Sequence, residues 1–188
     1  MPSPSLRPRD ERLVIGITGH IGVGKTSAGK YLSSMYGFQY LRYSQVLLEW
    51  KGPERKAHLQ EIGWEIMAGG GQSELNRRLI AQIMPNSDVA VDGLRHPLDY
   101  ESLKHSFASA FHLLYIDSPL KTRWDRLKDQ DRYASIGAFE AADSHPVEQQ
   151  IESLRANAAL VLHNESTLQD LYVALDQAIR GFGRGGHS

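Results

Sequence analysis

The sequence predicts a three-layer α/β fold: a five-stranded parallel sheet with helices on both faces. Three observations carry this. Short apolar runs alternate with longer stretches of helical spacing. The runs are apolar at consecutive positions instead of every second one, as in strands covered on both faces. Pro53, Pro97 and Pro119 open helical stretches, where a first turn tolerates a residue without an N–H. Alternation of this kind builds parallel βαβ units with right-handed crossovers.

In chain order, Leu13–Thr18 reads as a buried strand and Lys25–Tyr36 as the amphipathic helix after it. Gln39–Arg42 is a weaker strand. Pro53–Ala68 and Ser73–Met84 have helical spacing, separated by Gly69-Gly-Gly71 as a helix stop and a hinge. Val89–Asp92 is the third strand and Pro97–Phe107 its helix. Ala110–Asp117, then Pro119–Lys128, repeat the unit, and Leu160–His163 with Thr167–Arg180 close it. One domain is expected over residues 13–182, between a flexible proline- and serine-bearing start (1–12) and a glycine-rich tail (183–188).

With 188 residues, 41% of them apolar, the chain can form one core but hardly two. Its 21 Lys and Arg against 22 Asp and Glu leave no basic excess, which argues against binding nucleic acid through bulk charge. No cysteine is present, so a disulfide scaffold, a cysteine zinc site and a thiol nucleophile are all excluded. The apolar runs are far shorter than the roughly 20 residues of a membrane span. No signal-peptide pattern is visible, and a cytoplasmic location is expected. The 8 histidines lack metal-ligand spacing. A homodimer is as open as a monomer.

The first strand runs into Gly19-His-Ile-Gly-Val-Gly-Lys-Thr26, which fits G-x-x-x-x-G-K-[ST] between a buried strand and a helix. Glycines let backbone N–H groups curl around a polyphosphate, and the helix N-terminus adds its dipole. Gly19, Gly22, Val23, Gly24, Lys25, Thr26 and Ser27 are therefore the expected nucleotide contacts. Lys25 is expected on the β- and γ-phosphates, and the Thr26 hydroxyl on Mg²⁺. His20 either faces the phosphates or plays a neutral structural part. The strand Val89-Ala-Val-Asp92 ends in a carboxylate suited to the same ion, and Arg95 follows three residues later. Both fall at the carboxyl edge of the sheet, where open α/β folds bind ligands.

Gly19–Thr26, Asp92-Gly-Leu-Arg95, and Tyr115-Ile-Asp-Ser-Pro119 with Arg123 and Arg126 resemble the nucleoside-monophosphate-kinase branch of P-loop proteins. That branch includes adenylate kinases, dephospho-CoA kinases and deoxynucleoside monophosphate kinases. The stretch Ala159–Leu171 is similar to the closing segment of dephospho-CoA kinase-like proteins. That likeness makes Asn164 a candidate contact near adenine. Two departures stand out. Adenylate kinases carry Asp-Gly-Phe-Pro-Arg, whereas Arg95 directly follows Leu94. Dephospho-CoA kinases lack Asp-Gly-x-Arg and usually have glycine where His20 stands.

The resemblance implies a P-loop kinase fold with an acceptor-binding helical insert over residues 44–84 and a short lid over 128–144. Arg126 lies at the lid's base and Arg132 within it, both expected with Lys25, Asp92 and Arg95 as catalytic groups. Arg123 shares a helix face with Arg126. Ser44, Arg55 and Arg95 are the expected acceptor ligands, and Trp50 and Trp64 read as packing residues. The activity this resemblance implies is that of an ATP- and Mg²⁺-dependent kinase. Its acceptor would be a small phosphorylated molecule, a (deoxy)nucleoside monophosphate, with no nucleic-acid or membrane partner. Dephospho-CoA as the acceptor and a non-catalytic ATP-binding switch are the two alternatives.

Overall fold

Residues 14 to 18 are buried without exception. A strand with no exposed face must be covered from both sides, which puts β1 (Val14–Thr18) at the centre of a layered sheet. β3 (Val89–Leu94) is likewise wholly buried, and β4 (Phe111–Asp117) nearly so. β2 (Gln39–Arg42) and β5 (Leu160–His163) keep partly exposed residues and form the edges. Neighbours are parallel throughout, in the order β2-β3-β1-β4-β5. The computed structural model describes residues 12–53, 58–129 and 133–183.

Side-chain alternation along the strands divides the interior in two. On one face Ile15, Ile17, Leu114 and Ile116 pack against α1 (Lys25–Tyr36) and α10 (Leu168–Phe182) through Leu32, Leu175 and Ile179. On the other, Val14, Val89, Val91 and Leu113 meet α2 (Tyr43–Lys51), α3 (Leu59–Ala68), α4 (Gln72–Ala81) and α5 (Pro97–Phe107). Val46, Ile62, Leu79 and Leu103 are their contributions.

Local chemistry sets the helix ends. α1 stops at Gly37, whose φ of 73° lets the Gly37 and Phe38 N–H groups close back on Ser33 and Leu32 carbonyls. Reciprocal capping boxes start α5 at His96–Asp99 and α10 at Thr167–Asp170.

α1 and α5 leave β1 and β3 toward opposite faces, so the carboxyl ends of these adjacent strands frame a crevice. The register slips there. Ile17 pairs with Asp92 but Thr18 with Leu94, leaving Gly93 as a bulge at φ 92°. Thr18 closes it by donating its hydroxyl to the Leu94 carbonyl at 2.7 Å. The bulge turns the chain so that Arg95 reaches the crevice.

The structure differs from the sequence reading at several elements. α2 lies largely within the expected insert but in none of the expected helices, and β3 continues past Asp92 to Leu94. The second predicted helix of the insert ends at Ala81, not Met84, because Gln82 and Ile83 tighten to i→i−3 bonds ahead of Pro85. The described part of the first begins at Leu59, since residues 54–57 lie outside the described set. The region after α6 (Leu120–Leu127) carries α7 (Ile136–Asp143), α8 (Pro146–Gln149) and α9 (Ile151–Arg155), none of which has the apolar period that marks longer helices. Among the described residues, no helix is long and apolar enough to cross a membrane.

Candidate active site

The loop between β1 and α1 is a backbone device. Gly19 has φ 136°, and a Cβ there would drive into the Ile116 carbonyl of β4, so only glycine fits. The Lys25 ammonium folds back onto the Gly19 and His20 carbonyls at 2.5 and 2.8 Å. Burial, and then the positive charge of Arg95, pull its pKa down to about 8, against the opposing pull of Asp92. Lys25 and Arg95 both line the crevice, and an anion bound there would relieve the repulsion between them.

Asp92, two residues before the end of β3, is buried. Its Oδ2 accepts from the Tyr40 hydroxyl at 2.7 Å and from the Thr26 hydroxyl at 3.3 Å. Tyr40 therefore fixes the carboxylate from β2, and burial together with Asp92 pushes the phenol well above its ordinary range. Nothing in the sequence singles out Tyr40 beyond its place on a short strand.

Two side chains hold the phosphate loop from behind. Arg123 on α6 is buried, where a solvent-facing lid residue was equally compatible with the sequence. Its Nη1 donates to the Ile21 carbonyl at 3.0 Å and its Nε to the Ser118 carbonyl at 3.1 Å. Its fork is bidentate on Asp143 at 2.5 and 2.8 Å. Burial pushes the Asp143 carboxyl up, but the neighbouring His20 and the Arg123 fork outweigh it and hold it well below the usual range. The His20 Nδ1 lies 3.5 Å from the same carboxylate, so this loop histidine turns toward α7. Asn164, also buried, donates its amide to the Val23 carbonyl at 2.9 Å, and Arg126 donates to the Asn164 carbonyl at 2.9 Å. Asn164 thus directs its side chain at the loop.

The opposite wall is made of side chains. Arg95 donates through Nε to Glu148 on α8 at 3.0 Å. Glu148 is fully buried, and the same oxygen accepts from Gln60 of α3 at 3.3 Å. Asp99 caps the Arg95 and His96 N–H groups at 2.9 and 3.0 Å and accepts from Gln72. Burial pushes the Asp99 carboxyl up. Tyr43 is buried and donates to Asn76 at 2.6 Å.

These elements enclose one cleft of about 1590 Å³. Of the residues singled out in the sequence, Gly22, Gly24, Lys25, Thr26, Ser27, Ser44, Asp92, Arg95 and Arg126 line it. Gly19 and Val23 contribute carbonyls to the loop's own bonding. Arg55 and Arg132 lie outside the described residues. Trp64 is exposed, and the Trp50 ring packs against the Lys51 and Arg78 cations. Glu148, Gln60, Gln72 and Tyr40 were not legible as site residues. Glu148, for one, sits at the third position of a Pro-started helix, where an acid reads as a dipole complement.

A glycine loop clasped between a buried strand and a helix, an acid near the carboxyl end of the adjacent strand, and this strand order define a P-loop protein of the kinase-like class. More particularly, the chain belongs to the AAA domain family, whose model matches residues 15–145. It is similar to a dephospho-CoA kinase of Thermosynechococcus vestitus, 26% identical over 93% of this chain and 97% of the relative. Its fold is that of a gluconokinase from Sinorhizobium meliloti, with a TM-score of 0.61 and 12% identity over 94% of this chain and 99% of the other. A shikimate kinase from Aquifex aeolicus superposes with a TM-score of 0.58 and 15% identity, over 93% and 100% of the two chains.

Proposed function

We propose that this chain is an ATP-dependent kinase that transfers the γ-phosphoryl group to a small phosphorylated acceptor, a (deoxy)nucleoside monophosphate. The observation that carries the reading is that Lys25 of the glycine loop, Asp92 and Arg95 line one cleft of about 1590 Å³. Single-ligand pockets run to roughly 1,000 Å³, so the cleft has room for a donor and an acceptor together. The names of the relatives support a kinase of a small molecule.

In this reading the polyphosphate replaces the loop carbonyls as the partner of the Lys25 ammonium. The N–H groups of the loop and the first turn of α1 surround it. An acceptor phosphate oxygen attacks the γ-phosphorus in line and ADP leaves. Little covalent chemistry falls to the protein, so placing the two anions and neutralising their charge is its contribution. Arg95 holds the acceptor side and Arg126 the outer wall. Thr26 and Asp92 supply hard oxygen donors, suited to Mg²⁺, which keeps waters and phosphate oxygens in its shell. Among the described residues, no group of three or more His, Cys, Asp or Glu could cage an ion alone, which fits a cation brought in with the nucleotide. When bound, the ion neutralises charge on the phosphates. Residues 44–84 serve as the acceptor-binding insert and 128–144 as the lid.

Dephospho-CoA is the second acceptor to consider, favoured by the relative from Thermosynechococcus vestitus. Mass spectrometry of products from ATP, Mg²⁺ and a panel of nucleoside monophosphates, deoxynucleoside monophosphates and dephospho-CoA separates the two. The expected product is a (deoxy)nucleoside diphosphate. CoA alone would install the second acceptor. No phosphorylated product above the Lys25→Ala level would reduce the chain to an ATP-binding switch.

A further inference from the structure

The Arg95–Glu148 contact forgoes the geometry such a pair ordinarily takes. Guanidinium and carboxylate pair best through two parallel hydrogen bonds. Here one bond forms, from Nε to Oε1, and Gln60 reinforces that same oxygen. Glu148 Oε2 is buried and has no hydrogen-bond partner. Among the described residues, neither Nη group of Arg95 has one either. A fully buried carboxylate with an unfilled oxygen is costly to keep as mere packing. Arg95 itself remains partly exposed and lines the cleft, and its charge reaches Lys25.

We propose that Glu148 is a positioning residue for the acceptor's phosphate: by taking Arg95 through Nε alone, it leaves the two Nη groups free as a fork for a tetrahedral oxyanion. The proposal rests on the reading of Arg95 as an acceptor ligand. Gln60 sets the carboxylate and also donates to the Ala142 carbonyl at 3.0 Å, so the fork is built where the insert helix α3 meets the end of α7. A phosphate seated on both Nη atoms completes the guanidinium's hydrogen bonding, which the protein leaves unfinished.

The test uses inorganic phosphate as the probe, titrated into protein saturated with Mg²⁺ and adenylyl imidodiphosphate so that the γ-position is already filled. Arg95→Ala is expected to weaken phosphate binding at least about tenfold, as loss of a charged hydrogen-bonding pair does. Glu148→Ala is expected to weaken it about tenfold as well, although it removes a negative charge. Glu148→Gln, which keeps an oxygen for Nε, should stay within about threefold of the unmodified protein. Added to Arg95→Ala, Glu148→Ala should have no further effect, since it acts through Arg95.

If Glu148 only neutralises Arg95, both Glu148 variants bind phosphate more tightly, and the proposal falls. It also falls if the Glu148→Ala effect persists without Arg95, or if the unmodified protein binds no phosphate. Should Glu148→Ala not fold, Gln60→Ala tests the same link, with about threefold weaker binding expected and unchanged binding contradictory. Acceptor-dependent ADP formation judges the kinase reading separately, since either result can fail while the other stands.

Discussion

At the phosphate-loop end of the cleft the backbone faces the ligand space, and side chains from α6 and the turn after β5 grip that backbone from behind. Arg123 takes the Ile21 carbonyl and Asn164 the Val23 carbonyl. At the Arg95 end the order is reversed. Side chains face the ligand space, and their orientation comes from other side chains: Glu148 on Arg95, Gln60 on Glu148, Gln72 on Asp99. A backbone cradle can be specified by eight consecutive residues. A side-chain fork needs residues 53 and 88 positions apart in the chain to meet. General phosphate binding can therefore stay constant while acceptor choice changes by a few substitutions.

The sharpest contrast should come from removing the loop's charge. Lys25→Ala is expected to lower kcat about 10²–10³-fold, as loss of one preorganised charge-stabilising group does. Steady-state ADP formation measures it. A loss under about tenfold would shift the weight of catalysis to the Arg95 end.

Next in size is the loop's support. Arg123→Ala strands the Asp143 carboxylate, which is only 12% exposed. Breaking such a buried pair costs about 3–5 kcal/mol, a fall in Tm of roughly 6–20 °C for a chain of this size. Calorimetry reads it, and an unchanged Tm would show that α7 and the loop are not tied through this pair. Asn164→Ala leaves the Val23 carbonyl without its donor and should weaken Mg·ADP binding about tenfold, near 1.4 kcal/mol. If acceptor affinity fell instead, the assignment of loop and fork to separate ends would be wrong.

The smallest effect is protonic. Lys25 is held near a pKa of about 8 in the ligand-free fold, below its ordinary 10.5. Between those values the unfolded chain holds more protons, so this group's contribution to stability rises as pH increases from about 8 to about 10.5. Bound phosphates favour the ammonium, so Mg·ADP binding should take up about half a proton at pH 8 and almost none near pH 6.5. Titration calorimetry in buffers of differing ionisation enthalpy checks the sign. Equal uptake at both pH values would contradict it.

The same division governs how much of the molecule is legible in its sequence. β1, the phosphate loop and α1 are contiguous, and their apolar run, glycine spacing and helix period are local signals. Lys25–Tyr36, Pro97–Phe107, Gln39–Arg42 and Leu160–His163 have the same bounds in sequence and structure. The short helices α7, α8 and α9 lack a period long enough to read, and Glu148 rides on one of them. Arg123 resembles a lid arginine in sequence because its neighbours are Asp125 and Arg126. Only the tertiary approach of Asp143, 20 residues on, turns it inward. Tyr40 and Gln60 have no local mark at all, since their partners come from β3 and α8.

The central claim, that one end of the cleft holds the donor and Arg95 the acceptor, is tested most directly by acceptor-stimulated ADP formation in the unmodified protein and in Arg95→Ala. The expected result is a phosphorylated acceptor that raises ADP formation at least about tenfold, a stimulation that Arg95→Ala removes while Mg·ADP affinity is kept. Stimulation that survives Arg95→Ala intact, or none by any acceptor, would contradict it.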